Sequence, residues 1–241
     1  MGLPQTNRRV MMDMKVIQSE ETKSLRIFYQ QNEDNLYKGI ALIFGPGETI
    51  YHNLPVLLEI EFPEDYPFSN PKVKFLTSDG RTRFHPNLYV EGKVCLSILG
   101  TWQGPSWTSV MTLRTVLLSI MGLLDEEPLL HEPGYASYKG KPISKQYSEF
   151  IEHSVLRYIV HTIHKYSEGV MDNSLKKFES VWREELSNVY KDTLVKLQKY
   201  AAEPQKIWNN LPYGMMNGIS EYPSLLEKCL AAGPKLGIKI D

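Results

Sequence analysis

Residues 84–107 read F-H-P-N-L-Y-V-E-G-K-V-C-L-S-I-L-G-T-W-Q-G-P-S-W, from Phe84 to Trp107. They hold Cys95, one of only two cysteines in 241 residues. The thiol sits in a short apolar run (Val94, Cys95, Leu96, Ile98, Leu99) behind the turn-prone His85-Pro86-Asn87 and the turn Val90-Glu91-Gly92-Lys93. A lone cysteine has two readings. Free cysteines are among the most buried side chains and pack as small hydrophobes. A nucleophilic one needs polar partners gathered around it in space. Here His85 and Asn87 stand ten and eight positions upstream and Gly92-Lys93 come just before. The run therefore predicts a thiol displayed near polar groups rather than hidden among apolar ones.

The whole string is more specific than the cysteine. His-Pro-Asn, seven residues, Cys-Leu, then a tryptophan ahead of an amphipathic stretch resembles the active-site segment of ubiquitin-conjugating enzymes. The piece Gly92–Trp107 is most similar to the large, extended Z-type members of that family. Cys95 and Trp107 are twelve apart, against about eight in smaller members, so the extra T-W-Q-G-P predicts a longer loop beside the site. The resemblance implies an α+β fold in which Cys95 carries ubiquitin, or a related modifier, as a thioester and passes it to a target lysine. It also implies that Asn87 donates to the tetrahedral oxyanion or holds the active-site loop, that His85 orders that loop and that Pro86 restricts the turn. Such chemistry suits a thiol without a strong base, since donor and product thiols leave with similar ease. A thiol hydrolase would need a His and an Asp or Asn converging on Cys95, and the sequence displays no such pair. A non-catalytic variant of the fold would lack the cysteine.

Composition bounds the rest. Lys plus Arg (27) balance Asp plus Glu (28), and 42% of the residues are hydrophobic, so a core is available and no overall basic field points to nucleic acid. Two cysteines make no disulfide framework and suit a reducing compartment, cytoplasmic or nuclear. The N-terminus lacks the apolar run of a secretory signal, and no stretch approaches a membrane span. No cofactor is implied.

In chain order, residues 7–19 predict a helix with Val10, Met11, Met14 and Ile17 on its apolar stripe. Arg8 and Arg9 fall on the other side; they read as a solvated face or, by resemblance, as contacts for the ubiquitin-activating enzyme. Strand-like runs at 25–31, 37–44, 56–62 and 72–76, joined by turn chemistry, predict a four-stranded antiparallel meander. Tyr66-Pro67-Phe68-Ser69-Asn70-Pro71 is similar to the family's Tyr-Pro-x-x-Pro-Pro loop, with Asn70 where the first of the paired prolines is expected. Pro67 is a candidate cis proline. Phe68 reads equally as an isolated exposed ring or as an anchor for a ubiquitin ligase; Trp107 is a further candidate partner contact. Trp107, with Thr108 as cap, is expected to open a helix through Leu124 whose stripe includes Val110. Smaller members place an Asp or Ser after that helix to position the incoming lysine. Here the loop reads D-E-E-P-L-L-H-E-P-G-Y from Asp125 to Tyr135, with leucines at that place. His131 is an acceptor-side candidate or a loop-surface histidine.

A helix at 144–166 follows, with Tyr147, Ile151, Val155, Tyr158, Ile159, Ile163 and Tyr166 inward. His161 and His164 sit three apart on it without a third ligand, so a metal site is not expected. Beyond Glu168-Gly169, one long helix at 174–202, an irregular Pro-, Asn- and Gly-rich stretch and a short helix at 223–232 are expected, with Cys229 packing inward. Thr193 on the long stripe argues for packing on the core rather than a coiled coil. The expected organisation is a conjugating core at 1–168 and a helical extension at 169–241. The expected partners are the modifier, its activating enzyme, a ubiquitin ligase and protein substrates, with no nucleic acid and no membrane.

Overall fold

Val10, Met14 and Ile17 recur at helical spacing and all three are buried, so α1 (Gln5–Ile17) has one face to lie on the core. The computed structural model describes residues 5–213 and 216–238. The leader reading at residues 1–4 and the extension's last residues, 239–241, lie outside them. Met11 leaves the predicted stripe and is 52% exposed, because it stands about 100° round the helix from Val10. The polar residue on the inner face is Asp13, 2% exposed. Its carboxylate accepts from Arg9 Nε at 3.0 Å, from the Leu113 N–H at 2.8 Å and from the Tyr66 hydroxyl, so a buried charge is satisfied from three sides.

After the Ser19-capped α2 (Glu20–Ser24), the predicted meander follows as β1 (Ile27–Gln31), β2 (Lys38–Phe44), β3 (Pro55–Glu61) and β4 (Lys72–Phe75). The strands are neighbours in that order, all antiparallel, and Tyr29, Ala41, Leu58 and Phe75 stand in one row across the sheet. After Lys38, β2 is buried without alternation, the pattern of a strand covered on both faces. The Tyr66–Pro67 bond is cis.

The helix after the active-site segment begins later than expected. α3 runs Leu113–Met121, and its N-cap is Thr112, whose side chain and that of Thr115 form a reciprocal capping box. Trp107 and Thr108 lie in the preceding loop, and Val110 is 82% exposed rather than on the stripe. The reason is tertiary: Asp13 takes the Leu113 N–H and fixes the first turn there.

α4 (Pro142–Ser167) buries Tyr147, Ile151, Val155, Ile159 and Ile163, as the periodicity predicts. The predicted single helix beyond it is broken. A short α5 (Asn173–Lys176) ends where Phe178, at φ −115° and ψ 26°, drops its ring into the core; α6 (Glu179–Ala201) restarts from it. The stretch expected to be irregular contains a small hairpin, β5 (Ile207–Trp208) with β6 (Gly218–Ile219), before α7 (Tyr222–Lys235).

These C-terminal elements close on the sheet and on α4. Trp182 of α6 is fully buried and stacks on Phe44 of β2, ring centroids 6.3 Å apart. Arg26 joins them, its guanidinium over Phe44 and 2.8 Å from Glu185. Lys196 and Tyr200 both bond Glu152 of α4 at 2.9 Å. Trp208 packs against Phe150 and His153, and His153 Nε2 accepts the Glu221 N–H at 3.0 Å. α7 lies so near α6 that a Cβ on Gly233 would stand 2.4 Å from the Tyr190 hydroxyl oxygen, so any larger residue there would displace the Tyr190 ring. Thr193, buried, donates to the Val189 carbonyl at 2.6 Å and so satisfies itself within the helix.

Candidate active site

The site grows from a turn that bonds to itself. His85 Nδ1 accepts the Asn87 N–H at 3.0 Å, and the Leu88 N–H returns to the His85 carbonyl at 2.9 Å. The His85 ring is fully buried; burial, followed by neighbouring His131, pushes its pKa down to about 3. At neutral pH the ring is uncharged, and its Nδ1 is an acceptor within the turn. Asn87, also buried, meets Cys95 twice. Its carbonyl accepts the Cys95 N–H at 2.8 Å, and its side-chain Nδ2 donates to the Cys95 carbonyl at 2.8 Å. The two bonds tie the turn to the backbone of the cysteine. The turn before the cysteine reaches β4 only because residue 92 is glycine. Its φ is 103°, and a Cβ there would stand 2.8 Å from Lys74 Cγ and 2.9 Å from the Phe75 carbonyl oxygen.

Cys95 itself is 1% exposed. The displayed thiol expected from its polar neighbours is corrected: Val94, Ile98 and Leu99 enter the core and take the cysteine with them. The chain then curls back. Thr101 Oγ1 donates to the Val94 carbonyl at 2.7 Å and accepts the Leu96 N–H at 2.9 Å, while Thr101 to Ser106 are exposed. Asn70 adds a tie that a proline there could not make: its Nδ2 reaches the Leu99 carbonyl at 3.3 Å.

The second wall is the loop 125–135. His131 Nε2 and Asp125 Oδ2 are 2.7 Å apart, and the His131 ring lies 5.0 Å from the His85 ring. Burial alone would raise the Asp125 carboxyl, but the hydrogen bond and charge of His131 outweigh it and hold it below the ordinary range. His131 thus stands over the turn with a carboxylate partner, half-buried, while Leu129 is fully buried in the core.

A cation joins the turn to both flanks. Arg83 Nε donates to the Pro86 carbonyl at 3.2 Å, and its guanidinium meets two rings, Tyr89 at 3.7 Å and Tyr213 at 4.3 Å. Tyr213 belongs to the C-terminal segment, and its hydroxyl donates to Glu132 of the 125–135 loop. Arg83, Glu132, Tyr213 and Asp13 were not singled out from the sequence. Arg83 is two residues before His85 and could have been noticed; Tyr213 carries no local signal.

The partner-contact candidates divide. Arg8 is exposed on α1, and so is Phe68, at 68%. Arg9 is not a free cation on a solvated face: it bonds Asp13, the Ser109 carbonyl at 2.8 Å and the Met111 carbonyl, because its side chain bridges α1 to the loop before α3. Trp107 is half-buried as a brace, its Nε1 donating to the Pro67 carbonyl at 2.7 Å and its ring tilted against Tyr66. Cys229 is buried on α7. His161 is exposed and His164 half-buried on α4; among the described residues no group of three His, Cys, Asp or Glu side chains is placed to hold a metal ion. Among them also, no helix is long and apolar enough to cross a membrane.

The sequence is similar to known proteins over most of this region. The family model described as ubiquitin-conjugating enzyme covers residues 9–157, more than half of the chain. Ubiquitin-conjugating enzyme E2 Z of Xenopus tropicalis is 40% identical over 153 residues, 63% of this chain and 48% of that protein. The human protein of the same name is 39% identical over 158 residues, 65% of this chain and 44% of its own length. The chain therefore spans less than half the length of these relatives. A crystal structure of ubiquitin conjugating enzyme E2 from Plasmodium falciparum is 25% identical, covering 52% of this chain and 88% of that one, with a TM-score of 0.44. The matched region starts in α1, takes in the meander and the Cys95 turn, and ends within α4. The chain belongs to the ubiquitin-conjugating enzyme family.

Proposed function

We propose that Cys95 accepts ubiquitin, or a related modifier, as a thioester from the activating enzyme and passes it to a lysine of a protein substrate, usually with a ubiquitin ligase. In the first step the Cys95 sulfur bonds to the modifier's terminal carbonyl carbon and the donor thiol leaves with the proton that Cys95 gives up. In the second, the lysine nitrogen bonds to that carbon, the C–S bond breaks, and the amine's proton goes to the released thiolate. Neither step needs a metal or a redox partner. The observation that carries the reading is the pair of hydrogen bonds between Asn87 and Cys95, which ties the backbone of one cysteine to the His-Pro-Asn turn in a chain of this family.

Around it, His85 and Asn87 hold the turn, and the His131–Asp125 pair flanks it on the acceptor side. Exposed Arg8 is the candidate contact for the activating enzyme and exposed Phe68 for the ligase, while Arg9 and Trp107 support those surfaces from within. The exposed cysteine-proximal loop of residues 101–106 is a further surface for partners. The place of action is the reducing cytoplasm or nucleus, where a free thiol persists.

The test is a charging assay with activating enzyme, ATP and ubiquitin, run without reductant on wild type and Cys95→Ser. A single-ubiquitin adduct cleaved by thiol on wild type, and resistant to thiol on the serine variant, is the expected result. If no adduct forms with ubiquitin or with related modifiers and their own activating enzymes, the reading fails.

A further inference from the structure

The segment that ends the β5–β6 loop's first half is outside the region shared with the family, yet its last described residue reaches the active-site turn. Tyr213 makes two contacts there. Its ring lies 4.3 Å from the guanidinium of Arg83, which also meets the Tyr89 ring, and its hydroxyl donates to Glu132. Arg83 holds the carbonyl of Pro86, and Pro86 stands between His85 and Asn87, whose side chain bonds the Cys95 carbonyl. Glu132 follows His131, whose imidazole pairs with Asp125 over His85. One side chain therefore touches both walls of the site: the His-Pro-Asn turn through Arg83, and the 125–135 loop through Glu132. Tyr147, fully buried on α4, backs the arrangement with its ring 6.3 Å from that of Tyr213.

We infer that Tyr213 is a positioning residue that the C-terminal extension supplies to the active site, setting the spacing between the Cys95 turn and the loop that meets the incoming lysine. The inference rests on the thioester-transfer reading above. The two contacts have different chemistry and can be separated. The hydroxyl bond to a carboxylate is charge-assisted and directional, so it fixes where Glu132 and hence His131 stand. The ring–guanidinium contact is broad and holds Arg83 in place for the Pro86 carbonyl. Burial, then the Glu132 bond, raises the phenol's pKa, so the hydroxyl stays a donor across the working pH range. A loop pinned to the turn through one residue presents a single geometry to the acceptor; with the hydroxyl removed, the loop samples several, and the fraction of productive encounters falls.

Tyr213→Phe deletes the Glu132 bond and keeps the ring; Tyr213→Leu deletes both contacts and keeps apolar bulk. Each variant is charged with ubiquitin, purified from the activating enzyme, and followed as the thioester discharges to free lysine over a range of lysine concentrations. The Phe variant is expected to lower the saturating discharge rate about 3- to 10-fold, the worth of one hydrogen bond at the reacting geometry, with charging within about two-fold of wild type. The Leu variant is expected to fall further. Wild-type discharge in both variants overturns the inference, and so does an equal loss in charging and discharge, which would mark a merely structural residue. A second readout does not need activity: hydrogen exchange of the uncharged protein. Faster exchange in Tyr213→Phe, confined to the segments 83–96 and 125–135, is expected, and unchanged exchange there overturns the inference. If wild type itself takes no modifier, the thioester reading fails while exchange still decides whether Tyr213 holds the two walls.

Discussion

The chain has two cysteines, and both are buried: Cys95 at 1% and Cys229 at 0% exposure. Their surroundings differ. Cys229 sits on the inner face of α7 with Leu225 and Ala232, its backbone already spent in helix, and burial pushes its thiol up to about 12. That is an inert packing residue. Cys95 lies outside any helix or strand, its N–H and its carbonyl both tied to Asn87, between a neutral histidine and a curled loop. Burial does not separate the two. The backbone does: one cysteine is a rung of a helix, the other the end of a braced turn whose supports come from β4, the 125–135 loop and the C-terminal extension.

Removing the support that joins the two regions has the largest expected effect. Trp182→Ala takes a fully buried ring off Phe44, with an expected loss of about 3–5 kcal/mol in urea unfolding. In that variant Cys229 should become open to alkylation at lower urea than Cys95. Simultaneous labelling of the two would erase the distinction between the regions.

Acid sharpens it, because each region holds one buried neutral histidine. Folded-state pKa values of about 3 for His85 and about 4 for His153 lie below the ordinary 6.5, in both cases because of burial. The unfolded chain therefore binds protons first as pH falls. The stability these groups contribute is full above about pH 6.5 and is lost on the way down to pH 4 and pH 3. Between pH 7 and pH 5 each should remove about 2 kcal/mol. His153→Gln is expected to flatten that descent by about half as followed by thermal melts; an unchanged slope would mean that the joint between α4 and the extension does not titrate this way.

Cys229→Ala should cost least, about 1 kcal/mol for a small cavity, with modifier charging unchanged. A charging defect in that variant would make the two cysteines functionally linked and break the comparison from the other side.

How far the sequence could be read follows the range of the forces. The meander was legible because apolar runs and turn residues act locally: each observed strand falls within two residues of its run. So was the packing of Thr193, whose hydroxyl is satisfied one turn back on its own helix. The start of α3 was not, since the group that fixes it, Asp13, is a hundred residues away. Arg9 was misread for the same reason, its carbonyl partners lying beyond residue 108. At the site, the His-Pro-Asn to Cys spacing pointed to the turn, but the polar residues beside Cys95 outweighed its apolar neighbours in the reading, and packing reverses that weight. Tyr213 meets Arg83 from 130 positions away, with no motif to announce it.

The burial of both thiols has a consequence for the life of the molecule. Oxidation of cysteine to sulfenic acid or to a mixed disulfide needs an ionised sulfur that a peroxide or disulfide can touch. At rest this chain offers neither of its two sulfurs to solvent. Damage must wait for a local opening of the turn, so at high oxidant the rate of loss saturates at the opening rate instead of rising with dose. The supports around Cys95 would then set the protein's endurance under oxidative stress as well as its readiness to react.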